Sequence, residues 1–100
     1  MENKETLESI TRQILEHGEV EVLVEGYANN VSNTEQENIQ ELIPLSKLRA
    51  QTVMGILIEN GLDEQILSFD GKGGLNPIAE WKDRDNWWKN RRVEFIVTRT

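Results

Sequence analysis

A chain of 100 residues with 37% hydrophobic content and a formal net charge of −7 makes one small domain, residues 1–100, with a core adequate for independent folding. With no cysteine and a single histidine, His17, it offers no disulfide, thiolate or histidine metal site and no Ser-His-Asp or Cys-His machinery, so neither an enzyme nor a cofactor or metal is expected. The acidic balance argues against general nucleic-acid binding, no apolar run approaches the roughly 20 residues of a membrane span, and the opening is amphipathic rather than a signal peptide.

Leu7, Ile10, Ile14 and Leu15 repeat at helical spacing and predict a first helix over Thr6 to His17, with Gly18 as its stop. Glu19 to Glu25 alternates with period two and is rich in valine, which predicts a strand. The stretch from Tyr27 to about Ile43 is polar and reads as a long loop holding a short helix near Glu35–Leu42. After Pro44, Ser46 reads as an N-cap for a second helix running to Asn60, with Leu48, Val53, Ile56 and Leu57 on its apolar face. Ile66–Phe69 is a second strand, ended by Gly71-Lys72-Gly73-Gly74, and Val93–Thr98 a last one. Pro77–Asn90 reads as helix and loop. This order predicts an α+β two-layer sandwich, helices on one face of a small mixed sheet, with Val20 to Phe69 forming a right-handed βαβ crossover.

The topology places the loop after the first strand, the start of the second helix and the loop after the second strand at one sheet edge. Asn29, Asn30, Arg49 and Gly71–Gly74 are therefore expected to converge there. An N-cap at Ser46 makes Arg49 the third helical residue, where a cation opposes the macrodipole, yet where a guanidinium beside unpaired N–H groups makes a carboxylate or phosphate receptor. Charge is also uneven: residues 1–81 hold five basic and fifteen acidic groups, net −10, and residues 82–100 hold six and three, net +3. That basic end is a recognition patch or a solvated face. Trp81, Trp87 and Trp88 read as anchors, with room for one to stack on a ligand or partner. Gly71–Gly74 lacks the ending of a phosphate-binding loop and reads as a turn.

Four phrases occur together in order: Gly26-Tyr27-Ala28-Asn29-Asn30, Leu45-Ser46-Lys47-Leu48-Arg49-Ala50-Gln51-Thr52-Val53, Gly71-Lys72-Gly73-Gly74-Leu75-Asn76-Pro77 and Asn90-Arg91-Arg92-Val93-Glu94. Over nearly the whole chain this resembles the OmpA-like carboxy-terminal domain, shared with peptidoglycan-associated lipoproteins and MotB-type stator proteins. The resemblance implies a βαβαβ-type fold, from which the opening strand is missing here. It also implies a fragment of a longer envelope protein, located in the periplasm and attached to or part of an outer-membrane protein. Membrane attachment would then lie in segments outside this chain, and other envelope proteins are candidate partners. The function implied is noncovalent binding of peptidoglycan through its diaminopimelate stem peptide. Arg49 would take the ligand carboxylate, Asn29 would bond the amine, and Arg91 or Arg92 would support the pocket. The sequence departs from the family pattern at Asn29, where an aspartate is usual, and at Leu42, where asparagine is frequent. Asp70, Glu35 and Glu37 are candidates to restore the charge. The alternative is a degenerate domain kept as a structural or protein-interaction module.

Overall fold

The computed structural model describes residues 4–29, 34–75, 77, 79–80 and 82–99; Asn30 and Trp81 lie outside them, as does the side chain of Trp88. Helix α1 spans Lys4–Glu16 and turns its Leu7, Thr11 and Ile14 inward. Gly18, at φ +81°, supplies the left-handed step that ends it. Strand β1, Val20–Gly26, is central: β2, Leu67–Gly71, pairs with it in parallel and β3, Val93–Arg99, antiparallel. Val24 lies opposite Phe69 on one side and Phe95 on the other. The expected α+β arrangement is therefore present, with helices on a three-stranded mixed sheet. No helix among the described residues is long and apolar enough to cross a membrane.

Alternation along β1 separates two environments. Val20, Val22 and Val24 face the core with Leu7 and Ile14 of α1 and Leu62, Leu67 and Val93. Glu25 projects from the other face and is buried, and Lys72 Nζ reaches it at 3.3 Å and Asp70 at 3.2 Å. The Lys72 ammonium, mainly through its hydrogen bond, holds the Asp70 carboxyl below its ordinary value. Asp70 is thereby committed to an ion pair on the sheet.

The second helix departs from the expected boundaries. It begins with a short α2, Glu35–Glu37, capped by the Thr34 hydroxyl, which accepts from Glu37 N at 3.2 Å. A π-helical turn, Asn38–Leu42, follows, and α3 then runs Ile43–Glu59. Pro44 sits in the first turn of α3, directly after the point where the Ile43 N–H reaches back five residues to Asn38. A proline lacks the N–H that an unbroken helical ladder needs, so the register change falls where proline is tolerated. Ser46 is consequently not an N-cap. It is fully buried inside the helix, donates to the Ile43 carbonyl at 2.9 Å and accepts from Gly73 N at 2.8 Å. Arg49 lies well inside the helix, so it does not share an anion site with unpaired N–H groups of a helix start as expected. Leu48 is 60% exposed, and the inward face is instead Ser46, Ala50, Val53 and Leu57.

Two glycines let α3 approach the sheet backbone directly. A Cβ on Gly26 would lie 2.0 Å from the Ser46 carbonyl oxygen, and one on Gly71 would lie 2.5 Å from Lys47 N and 2.6 Å from the Ile43 carbonyl oxygen. Gly55, on the exposed face of the same helix, has nothing within 4 Å. Gly26→Ala is expected to lower stability by roughly 2–3 kcal/mol or more, because backbone on both sides must shift. Gly55→Ala is expected to raise it by about 0.5–1 kcal/mol through helix propensity. Urea denaturation midpoints check the contrast, and equal effects at the two positions would contradict the close seating.

Candidate functional site

Beyond β1 the chain remains clamped between its two neighbours. Tyr27 N donates to the Arg92 carbonyl at 2.8 Å, Ala28 N to the Gly73 carbonyl at 2.7 Å, and Lys72 N to the Gly26 carbonyl at 2.9 Å. These bonds carry Ala28 and Asn29 in extended form to the end of the sheet, where Asn29 is 9% exposed. A cleft of about 480 Å³ opens there, lined by Ala28, Asn29, Glu37, Glu41, Leu42, Leu45, Arg49, Trp87 and Arg91. One wall is the face of the α2–α3 helix that repeats as Glu37, Glu41, Leu45 and Arg49, which is helical spacing. The other is the end of β1 with the 3-10 helix Arg84–Asn90 and Arg91 after it.

Arg49 is anchored by Nη1, which donates to the Tyr27 carbonyl at 2.6 Å. Burial, and secondarily the charge of Arg91, pull its pKa below the ordinary arginine value, from a starting point so high that it remains a cation at neutral pH. The second cause is informative. The one charged group perturbing Arg49 is another cation, and no ion pair to a described carboxylate offsets it. Two guanidiniums facing one cleft without an internal counter-ion form a receptor for an anionic group.

Asn29 is oriented from behind by Asn90. The buried Asn90 amide donates from Nδ2 to Asn29 Oδ1 at 2.8 Å and to the Ala79 carbonyl at 3.0 Å, while its Oδ1 accepts from Ala79 N at 2.8 Å. That bonding fixes which end of each amide is which. Asn29 presents its oxygen to Asn90, as an aspartate would.

Of the four residues expected at the site, Arg49, Asn29 and Arg91 come together and Arg92 does not line the cleft. The Arg92 guanidinium instead stacks on the Tyr27 ring, 3.9 Å from its centroid, and pairs with Glu94. Nor does the glycine loop line the cleft; Gly73 and Gly74 instead tie to Ser46 Oγ and Asn38 Oδ1 and buttress the helix. Among the charge candidates, Glu37 lines the cleft, whereas Asp70 is paired elsewhere and Glu35 does not line it. Leu42, buried, fills part of the wall, and Trp87, half-buried, lines the cavity as well. Sequence reasoning gave no role to Glu41, Leu45 or Asn90. The placement of Asn90 just before Arg91-Arg92 was the one available signal for it.

Comparison with known proteins fits this geometry. The OmpA family model matches residues 1–91. Outer membrane protein A of Bordetella avium is 31% identical over 96 residues, covering 96% of this chain and 47% of that protein. The peptidoglycan-binding protein ArfA of Mycobacterium tuberculosis is 38% identical over 76 residues, covering 76% of this chain and 22% of that protein. The chain thus spans less than half the length of either relative. Among solved structures, the periplasmic domain of Helicobacter pylori MotB superposes with a TM-score of 0.80 at 29% identity, over 96% of this chain and 59% of that one.

Asn90→Ala would strand the Ala79 N–H and carbonyl and unhook Asn29. We expect a loss of roughly 2–4 kcal/mol in chemical denaturation, with a changed environment at the Asn29 side-chain amide by NMR. An unchanged Asn29 signal would contradict the buttressing role.

Proposed function

The chain belongs to the OmpA family, and on that premise we propose that it binds peptidoglycan noncovalently and holds an envelope protein to the bacterial cell wall from the periplasmic side. The observation that carries this reading is the cleft itself: Arg49 and Arg91 line it together, and neither is ion-paired to a described carboxylate. The ligand is a stem peptide containing diaminopimelate. Arg49, held at the Tyr27 carbonyl, presents its remaining N–H donors to the ligand carboxylate, and the planar guanidinium suits bidentate pairing. Arg91 adds a second positive charge. Asn29, a lining residue oriented by Asn90, hydrogen-bonds the ligand amine. Arg92 contributes from behind, by fixing the Tyr27 ring whose backbone holds Arg49. The name of the mycobacterial relative, a peptidoglycan-binding protein, supports the same ligand class.

The neutral side chain at Asn29 favours a second reading, a domain that has lost the ligand and serves as a structural or protein-interaction module. A charge-assisted hydrogen bond contributes roughly 1.5–3 kcal/mol against about 0.5–1.5 for a neutral one. The missing charge therefore costs about tenfold in affinity, which weakens a binder without abolishing it.

Co-sedimentation with purified sacculi separates the two readings. The unaltered domain is expected to pellet and Arg49→Ala to remain in the supernatant, whereas failure of the unaltered domain to pellet would overturn the peptidoglycan reading and favour the interaction module. In a calorimetric titration with a diaminopimelate-containing muropeptide, Asn29→Asp is expected to bind about tenfold more tightly. It keeps the Asn90 hydrogen bond, so the fold is not perturbed. Unchanged affinity would remove Asn29 from the ligand's reach.

A further inference from the structure

The helix wall of the cleft carries charge opposite to that of Arg49 and Arg91. Glu37 and Glu41 lie four residues apart, on the same face, and both line the cavity. The Glu41 side chain is exposed, and among the described residues no hydrogen bond or ion pair holds its carboxylate. Arg91, across the cavity, is exposed and equally unpaired. Opposite charges sharing a small cleft gain by pairing when they can reach one another; these two do not meet. Along the helix, Glu41 precedes Arg49 by eight residues, or about 12 Å of axial rise. The two walls thus form a bipolar receptor, with an acidic end at Glu41 and a basic end at Arg49 and Arg91, and the neutral Asn29 also lines it.

Resting on the peptidoglycan reading above, we infer that Glu41, with Glu37 one turn before it, is the group that reads the ligand's ammonium and makes this cleft selective for stem peptides with a free side-chain amine. A neutral amide at Asn29 orients an ammonium but does not balance its charge, and the nearest cleft-lining carboxylates belong to this helix. The diaminopimelate side chain ends in both an ammonium and a carboxylate, and its main-chain carboxylate sits at the other end when the residue is terminal. Such a ligand carries its ammonium beside one carboxylate at the side-chain end and a second carboxylate at the other end, so a carboxylate pair on the helix and two arginines across from it offer a counter-charge to each group. The carboxylate end of the interaction remains with Arg49; Glu41 is a specificity determinant.

The test is a double-mutant cycle by calorimetry with the full chain. The ligands are a synthetic stem tripeptide ending in diaminopimelate and the same peptide acetylated on its side-chain amine. In the unaltered domain acetylation is expected to weaken binding about tenfold. Glu41→Gln is expected to weaken the free-amine peptide by a similar factor and to bind both peptides equally. Glu37→Gln should produce a smaller loss of the same kind. If acetylation costs Glu41→Gln as much as it costs the unaltered domain, the amine is read elsewhere and the inference is overturned. If Glu41→Gln binds like the unaltered domain while Arg49→Ala does not bind, this inference falls and the peptidoglycan reading stands. Absence of binding by the unaltered domain overturns both.

Discussion

The seating of one helix on bare backbone determines where every group of the cleft can be. Gly26 ends β1 and Gly71 ends β2, and α3 rests its own peptide groups at Ile43, Ser46 and Lys47 where their Cβ atoms would have been. Ser46 completes the joint: its hydroxyl bonds the Ile43 carbonyl and receives the Gly73 N–H, so helix, strand end and loop share one buried oxygen. Ala50, one turn further on and fully buried, continues the close contact. A helix held only by larger apolar side chains would stand about 10 Å from the sheet. At the distance found here, the side chain one residue before Ala50 reaches the backbone just past β1, and that is the bond from Arg49 to Tyr27. Arg49 is thus positioned by glycines that never touch a ligand.

That position has an electrostatic consequence. A half-buried guanidinium that gives one N–H to a carbonyl has lost part of its hydration and gained no opposite charge. Arg91, entering from the turn before β3, adds repulsion instead of relief. The fold nevertheless supplies ion pairs where the function needs none: Lys72 joins Glu25 and Asp70 on the far face of the sheet, and Arg92 joins Glu94 beside Tyr27. Adjacent arginines therefore have opposite fates. Arg92 is neutralised and structural, while Arg91, in the bend before β3, is left lining the cavity.

Periodicity made most of the fold legible in the sequence. The valine alternation of β1, the helical spacing of Leu7, Ile10 and Ile14, and the β-branched run at Val93 each lead to elements within two residues of those found. The start of α3 was not legible, and the reason is physical. Leu45-Ser46-Lys47-Leu48 after a proline has the local chemistry of a capped helix start, and a local reading cannot know that Ser46 is buried under a strand end. The π-turn at Asn38–Leu42 hides the continuity further, since it shifts the helical period just where Pro44 suggests a boundary. For the cleft, Arg49 and Asn29 were legible through connectivity as well as the family resemblance, and Arg91 through the resemblance. Glu41 was not, because an isolated glutamate in a polar segment looks like any solvated charge until the helix turns it toward the two arginines.

The amide at Asn29 is best understood through the group behind it. Asn90 spends both N–H donors and its oxygen inside the protein, and what it asks of its neighbour is only an acceptor. Aspartate and asparagine satisfy that requirement alike, so the exchange keeps the Asn90 bond and alters the field in the cleft. The field then depends on the helix wall. A negative charge on the strand end would lie on the same side as the bonded oxygen and beside the arginine pair, partly neutralising it. Moving the negative charge to Glu41, about 12 Å along the helix from Arg49, leaves the arginines wholly positive and separates the two poles. The same fold can in this way shift between a compact and an extended arrangement of opposite charges by changing two side chains, without moving the backbone that carries them.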